Sequence, residues 1–186
     1  MIFLLKIENK IKWFIEKKRL AKCGINCRVG LFHIIKGYKY ITLGDGVNCG
    51  KDVRIEAWDR YESQVFKPHI IIGNNVTITD RCYISCIKKI SIGDGTLLGR
   101  DVYISDNSHG DTSTAMIGIM PNERSLMSKG GITVGRNVWI GRQVSIMSGV
   151  EIGDNAIIGA NSVVTKSIPS NSVAVGNPAR VIKKIM

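Results

Sequence analysis

A six-residue repeat constrains the fold of this chain more than any other sequence feature. From Val134 onward an aliphatic residue occupies every sixth position, commonly followed by glycine, and a small or aliphatic residue occupies the fifth position of each hexad. The lead residues of this run are Val134, Ile140, Ile146, Ile152, Ile158 and Val164. A period of six fits neither an α-helix nor an amphipathic strand, but it matches a short strand followed by a turn.

The same spacing recurs in the upstream half of the chain. The further lead residues are Leu43, Cys49, Ile55, Ile72, Ile78, Ile84, Ile92, Leu98 and Ile104, so that fourteen of fifteen leads are Ile, Leu or Val. Three hexads close one triangular coil, and fifteen predict five stacked coils. With about 4.8 Å between neighbouring strands, the predicted prism is roughly 25 Å long. Glycine after the lead residue is expected where the chain bends.

The segment before the repeats carries a helical pattern. Its apolar residues Phe3, Leu4, Ile7, Ile11, Phe14 and Ile15 recur at helical spacing. Residues 1–22 hold seven basic and two acidic side chains, and so supply +5 of the net charge of +11. The strand edges at the end of a solenoid must be covered, so this helix is predicted to cap one end or to pack in a trimer. The alternative is that it lies on an anionic membrane.

The pattern predicts one folding unit with three segments. Residues 1–40 form an N-terminal helix and cap, residues 41–168 the repeat region, and residues 169–186 a C-terminal tail. Insertions at 57–69 and 110–131 interrupt the repeats. Irregular segments of this length on a rigid scaffold often carry function, so the substrate site is predicted beside them.

Composition excludes several classes of protein. The chain has no apolar run of 18 residues, which argues against a polytopic membrane protein, and its 44% hydrophobic content argues against a disordered one. Five cysteines without framework spacing indicate a reduced, cytoplasmic protein. The 26 basic against 15 acidic residues favour an anionic partner. Nucleic acid is not predicted, because half of the excess charge lies in residues 1–22 and no aromatic stacking platform accompanies it.

The C-terminal half carries a specific resemblance. The motif V-W-I-G at 138–141 and the stretch I-G-A-N-S-V-V-T-K-S-I-P at 158–169, followed by G-N-P-A-R at 176–180, resemble the hexapeptide-repeat acyltransferases. Within that superfamily the chain resembles the sugar O-acetyltransferases of galactosides, maltose, capsule and lipopolysaccharide. The resemblance implies a left-handed parallel β-helix, usually trimeric, with a long loop after His109. It implies transfer of an acetyl group from acetyl-CoA to a sugar hydroxyl, without a metal.

The resemblance also places a catalytic histidine. His109 closes the hexad I-S-D-N-S-H where the long loop begins, which is where the family's catalytic His lies. A neutral imidazole there can take the proton from an acceptor hydroxyl. Asp106 or Asp111 is predicted to orient the imidazole, with Asp111 also a candidate for substrate binding. Ser85 partly replaces an Asn that holds acceptor or oxyanion in some family members.

The acyl donor needs close backbone approach and cations for its phosphates. By resemblance, the residues predicted to bind acetyl-CoA are Trp139, Gly141, Arg142, Gly159, Ala160, Thr165, Lys166, Arg180 and Lys183. Arg142 departs from the small residue common at its position, and Trp139 is equally well explained as a packing residue on a flat face. The family's active sites lie between adjacent subunits, which implies a homotrimer.

Alternative functions stay open at the level of sequence. An amino-sugar N-acetyltransferase or a serine O-acetyltransferase would use the same His base. A zinc-binding solenoid needs three converging His, whereas His33 precedes the predicted repeats and His69 lies in the first insertion. A non-catalytic solenoid would explain the repeats but not the long loop after His109.

Overall fold

The computed structural model describes residues 2–185. Met1 and Met186, the outer bounds of the predicted terminal segments, lie outside the described residues. Helix α1 spans Ile2–Glu16, and four 3-10 turns cover Lys17–Arg19, Tyr38–Tyr40, Thr114–Met116 and Pro121–Glu123. Among the described residues, none of the helices is both long and apolar enough to cross a membrane.

The rest of the chain winds into coils of three short strands each. The first two coils are β1 (Lys22–Cys23), β2 (Arg28–Val29) and β3 (Ile34–Lys36), then β4 (Ile41–Leu43), β5 (Asn48–Cys49) and β6 (Arg54–Ala57). A hairpin of β7 (Arg60–Tyr61) and β8 (Gln64–Val65) follows. The third and fourth coils are β9 (His69–Ile72), β10 (Thr77–Ile78) and β11 (Tyr83–Cys86), then β12 (Lys89–Ile92), β13 (Leu97–Leu98) and β14 (Tyr103–Ser105).

A second insertion separates these coils from the last ones. It begins with β15 (Ser108–His109) and ends with β16 (Leu126–Met127). The fifth and sixth coils are β17 (Ile132–Val134), β18 (Trp139–Ile140) and β19 (Ser145–Ile146), then β20 (Glu151–Ile152), β21 (Ile157–Ile158) and β22 (Val163–Val164). The chain finishes with β23 (Ser172–Gly176) and β24 (Ala179–Lys184), an antiparallel pair at the end of the prism.

Parallel pairing between successive coils builds three faces. Face A is β1-β4-β9-β12-β17-β20, face B is β2-β5-β10-β13-β18-β21-β23-β24, and face C is β3-β6-β11-β14-β19-β22. All fifteen predicted lead residues point inward, and even the most exposed of them, Cys49, is only 4% exposed. Their side chains form one continuous core along the prism axis.

The prism begins earlier than the sequence pattern predicted. The coil of β1, β2 and β3 precedes the predicted start at residue 41, so the described chain has six complete coils rather than five. Cys23, Val29 and Ile35 are its inward residues at the same six-residue spacing. Eight residues rather than six separate Ile35 from the next lead residue, Leu43, so this coil is out of register with the repeats that follow. The repeat pattern therefore did not reveal it.

The glycines after the lead residues are required for a different reason than bending. A Cβ on Gly141 would lie 2.6 Å from the backbone nitrogen of Ala160 in the next coil. The positive φ at the corners falls instead on residues such as Asn137 (φ 53) and Asn155 (φ 57). Asparagine tolerates the left-handed region, so Asn turns the corner while Gly allows the coils to stack closely.

Helix α1 caps the first coil through polar side chains. Asn9 Nδ2 donates to the carbonyl of Val29 at 2.9 Å, and Trp13 Nε1 donates to that of Cys27 at 3.1 Å. Lys12 Nζ donates to the carbonyl of His33 at 2.8 Å. These bonds satisfy backbone acceptors on the edge of the first coil that faces away from the second coil.

Candidate active site

His109 lies at the exit from face C. Its strand β15 pairs antiparallel with β16, with His109 opposite Leu126, and Gly110 N–H donates to the carbonyl of Ser125 at 2.9 Å. The predicted loop 110–131 is therefore a closed hairpin whose base carries His109. Its imidazole is exposed to solvent.

The first insertion supports this hairpin. The amide of Gln64 pairs with both backbone groups of Leu126: Nε2 donates to the carbonyl at 3.2 Å, and Oε1 accepts from the N–H at 2.7 Å. Tyr61 Oη donates to the carbonyl of Asn122 at 3.0 Å. Its ring meets the His109 imidazole edge to face, with centroids 5.5 Å apart. The two insertions thus form one unit around His109, a pairing that the sequence analysis missed.

Asp106 does not orient His109, contrary to the sequence prediction. Its carboxylate is fully buried and accepts from the backbone N–H groups of Ile87 (2.8 Å), Lys88 (2.8 Å) and Lys89 (3.0 Å). Asp106 therefore closes the turn between β11 and β12, one coil away from its own strand. A residue three before the histidine in sequence points inward, because the strand ends there and the chain turns outward after it.

Asp111, the other predicted partner, faces its own loop. Its carboxylate accepts from the N–H of Ser113 at 2.8 Å, and hydrogen bonding from Ser113 holds the pKa of Asp111 below its usual value. Within residues 2–185 no hydrogen bond reaches either imidazole nitrogen of His109. Strand pairing and the Tyr61 ring hold the imidazole instead.

Ser85 is joined by Asn107 to the segment that carries His109. Ser85 is 5% exposed on β11, and Asn107 Nδ2 donates to its hydroxyl at 3.2 Å and its carbonyl at 3.3 Å. The N–H of Asn107 also bonds to the hydroxyl of Ser105 at 3.3 Å. An amide therefore lies over Ser85 although the coil before His109 lacks the expected Asn. The signal was present in the D-N-S-H motif itself.

A buried carboxylate extends this polar surface along face C. Glu56 pairs in register with Ser85 and is 4% exposed. Tyr83 Oη donates to Glu56 Oε2 at 2.9 Å, and Lys36 Nζ lies 3.2 Å from Oε1. Burial, followed by the hydrogen bond to Glu56, raises the pKa of Tyr83. The same Lys36 ammonium lies 4.7 Å from the centroid of the Trp58 ring.

Most predicted acetyl-CoA residues come together on face B. Trp139 pairs with Ile157, which pairs with Val173, which pairs with Lys183, so Trp139 and Lys183 share one column of the face. Gly141 and Gly159 follow the inward residues of neighbouring strands, and Arg180 pairs with Val175 beside them. Trp139 is 55% exposed, so within this chain about half of its surface is open to a ligand or to a neighbouring subunit.

The remaining predicted residues lie at two corners. Arg142 and Ala160 follow Gly141 and Gly159 where face B turns toward face C, and both are exposed. Arg142 is only weakly engaged, 3.9 Å from Asp101. Thr165 and Lys166 follow β22 on face C, the face that also carries Ser85. Within one chain the predicted donor residues therefore occupy two faces.

The two other histidines do not form a site with His109. His33 is buried, with Nδ1 2.8 Å from the carbonyl of Gly30 and Nε2 2.6 Å from Glu16 Oε2. His69 is exposed on β9 of face A. In residues 2–185 no cluster of three or more His, Cys, Asp or Glu side chains has metal-binding geometry.

Comparison with known proteins adds to this geometry. The family profile described as bacterial transferase hexapeptide (six repeats) matches residues 131–166. WbbJ of Escherichia coli K12, named for lipopolysaccharide biosynthesis and O-acetyl transfer, is 34% identical over 164 residues, covering 86% of this chain and 80% of WbbJ. The chain belongs to the hexapeptide-repeat acyltransferase family. Its fold is the left-handed parallel β-helix of that family.

Solved structures agree with this assignment. AntD, an N-acyltransferase from Bacillus cereus in complex with dTDP and 3-hydroxybutyryl-CoA, superposes with a TM-score of 0.77 at 19% identity, covering 94% of this chain and 88% of AntD. A maltose O-acetyltransferase from Clostridium difficile 630 superposes with a TM-score of 0.58 at 30% identity, covering 96% of this chain and 77% of that enzyme. The first comparison shows the fold alone, and the second links this chain to a sugar acetyltransferase.

Proposed function

We propose that this protein transfers an acetyl group from acetyl-CoA to a sugar hydroxyl in the synthesis of a surface polysaccharide or lipopolysaccharide. The observation that carries the proposal is His109, an exposed imidazole held by both insertions on a chain that is 34% identical to WbbJ. The exposed ring is accessible from solvent, where an acceptor and a thioester can meet.

The chemistry assigned to His109 is general-base catalysis. Its neutral imidazole takes the proton of the acceptor hydroxyl as the oxygen attacks the thioester carbonyl. The tetrahedral intermediate then collapses, the carbon–sulfur bond breaks, and the imidazolium returns the proton to the leaving thiolate. Gln64, Tyr61 and Asn107 are positioning residues in this scheme, because each ties the loop that carries His109 to a fixed strand or hairpin.

The donor is assigned to face B and its corners. Arg180 and Lys183 supply cations for phosphate groups, with Arg142, Thr165 and Lys166 nearby in the proposed complex. Gly141, Gly159 and Ala160 leave the backbone accessible to the pantetheine arm, and Trp139 offers an exposed ring. Because the predicted donor residues occupy two faces of one chain, we propose that a complete site forms between two copies in a homotrimer.

The acceptor is assigned to face C beside His109. Asn107 and Ser85 offer amide and hydroxyl groups, which are partners that sugar hydroxyls bind, and the buried Glu56 beside Ser85 is already bonded to Tyr83 and Lys36. Asp111 lies on the hairpin that begins at His109, and we assign it to the acceptor only by its place in that loop. We propose that the enzyme acts in the cytoplasm, where its five free cysteines stay reduced.

The proposal is tested by release of free CoA from acetyl-CoA with a panel of sugars, sugar nucleotides, amino sugars and serine. We expect turnover with a sugar hydroxyl, and a loss of about 10²- to 10⁴-fold in kcat for His109→Asn. His69→Asn is the matched control, since it replaces another exposed histidine to which no role is assigned. Equal rates for the two variants would refute the role of His109, and turnover only with an amine or with serine would refute the acceptor class.

A further inference from the structure

The outward face of α1 is apolar. At 3.6 residues per turn its exposed apolar side chains fall on one stripe about 120° wide. This apolar stripe consists of Phe3 (74% exposed), Leu4 (63%), Ile7 (40%), Ile11 (57%), Phe14 (54%) and Ile15 (56%). The sequence analysis favoured a helix that buries these residues against the prism or a neighbour, but within this chain they face solvent.

Polar contacts fix this orientation. The side of α1 that faces the prism carries Asn9, Trp13 and Glu16, which lie opposite the apolar stripe on the helix. Glu16 is 9% exposed and bonds to both His33 Nε2 (2.6 Å) and Tyr38 Oη (2.9 Å). The two bonds of Glu16, and those from Asn9 and Trp13 to first-coil carbonyls, hold the helix in this orientation. They prevent it from rotating about its axis to bury its apolar side.

Basic side chains flank one edge and the C-terminal end of the apolar stripe, and Glu8 lies beside its other edge. The ammonium groups of Lys17 and Lys18 lie 5.1 and 4.4 Å from the centroid of the Phe14 ring, at one end of the stripe. Between α1 and the first coil lies a cleft of about 570 Å³, whose lining includes Lys6, Lys10, Arg28 and Lys51. Apolar side chains flanked by lysines suit the interface of an anionic bilayer.

We propose that the apolar stripe and its lysines dock this protein on an anionic lipid bilayer. A second copy that meets this one stripe to stripe is a poorer occupant, because that contact would bring two sets of lysines together. A surface of lipid headgroups supplies both the apolar layer and the negative charge.

Vesicle sedimentation of the full chain tests the proposal. We expect binding to vesicles that contain phosphatidylglycerol, little binding to pure phosphatidylcholine, and release at high salt. The triple variant Ile7→Ser/Ile11→Ser/Phe14→Ser should lose at least about 10-fold in partitioning. Lys10→Gln/Lys17→Gln should lose roughly 10- to 30-fold. Ile182→Ser, which removes another highly exposed apolar side chain (63%) on β24 at the far end of the prism, should bind as the unmodified protein does.

Two further measurements keep the result interpretable. Because the apolar stripe contacts solvent, the triple variant should retain its melting temperature and its rate of acetyl transfer to a water-soluble acceptor. Failure of acetyl transfer is thereby distinguished from failure of lipid binding. Absence of vesicle binding by the unmodified protein would overturn the proposal, as would equal binding by the triple variant. Dissociation of an oligomer by the triple variant, without any vesicle binding, would assign the stripe to a second copy instead.

Discussion

Replacement of Asp106 by Asn separates two roles for this carboxylate. In the structure Oδ1 accepts from Ile87 N–H and, at 3.3 Å, from Asn107 Nδ2, while Oδ2 accepts from the N–H groups of Lys88 and Lys89 and from Cys86 Sγ. An amide keeps one acceptor oxygen and turns an NH₂ group toward at least one of these donors. Hydrogen bonds to charged groups are worth about 1.5–3 kcal/mol, and an unpaired buried donor costs about as much, so we expect a net loss of about 3 kcal/mol.

That loss should lower the melting temperature by about 6–12 °C for a chain of this size. Thermal and denaturant unfolding of Asp106→Asn measure it, with Asp111→Asn as the control, because the Asp111 carboxylate is exposed and bonds only within its loop. An unchanged melting temperature together with a large fall in kcat would refute the structural role. That result would indicate instead that Asp106 orients His109.

Three further predictions follow from particular contacts. Gln64→Ala removes both hydrogen bonds to Leu126, so kcat should fall by about 10-fold and limited proteolysis within residues 110–125 should become faster. Val65→Ala is the control: it changes the exposed residue next to Gln64 and should alter neither kcat nor proteolysis. Gly141→Ala places a Cβ 2.6 Å from the nitrogen of Ala160, and denaturant unfolding should show a loss of about 1–3 kcal/mol. Burial raises the pKa of Cys49 to about 12, so its thiolate is scarce at pH 8. Iodoacetamide should therefore leave Cys49 unmodified in the native protein and modify it in denaturant, as measured by peptide mass spectrometry.

The sequence predicted the prism because its signal is local and repeated. Each lead residue points inward in a coil that contacts only its neighbours, so spacing alone identifies the core. The first coil was not predicted because its first lead residue is Cys23, and because two residues beyond the six-residue spacing separate its last lead residue from Leu43. For α1, periodicity revealed the apolar stripe but not which side of the helix contacts the prism. That side is set by hydrogen bonds from Asn9 and Trp13 to first-coil carbonyls, whose positions cannot be read from the sequence.

The candidate site was only partly predictable, for reasons of distance along the chain. His109 was found from its motif, but Tyr61 and Gln64 contact its hairpin from 61 and 62 residues away in sequence. Asp106 was misassigned because closeness in sequence was taken for closeness in space. Strand β14 ends just before Asp106. Asp106 therefore still points into the stack of coils, whereas His109 lies on the hairpin outside the prism.

Calorimetric titration with acetyl-CoA tests the central claim most directly, because the acceptor need not be known. We predict that the unmodified protein and His109→Ala bind, whereas Arg180→Ala binds more weakly and Arg136→Ala, which loses only a surface ion pair with Asp154, does not differ from the unmodified protein. Loss of binding confined to Arg180→Ala would support an acyl-CoA site on face B. Absence of acetyl-CoA binding by the unmodified protein would contradict the assignment as an acetyltransferase.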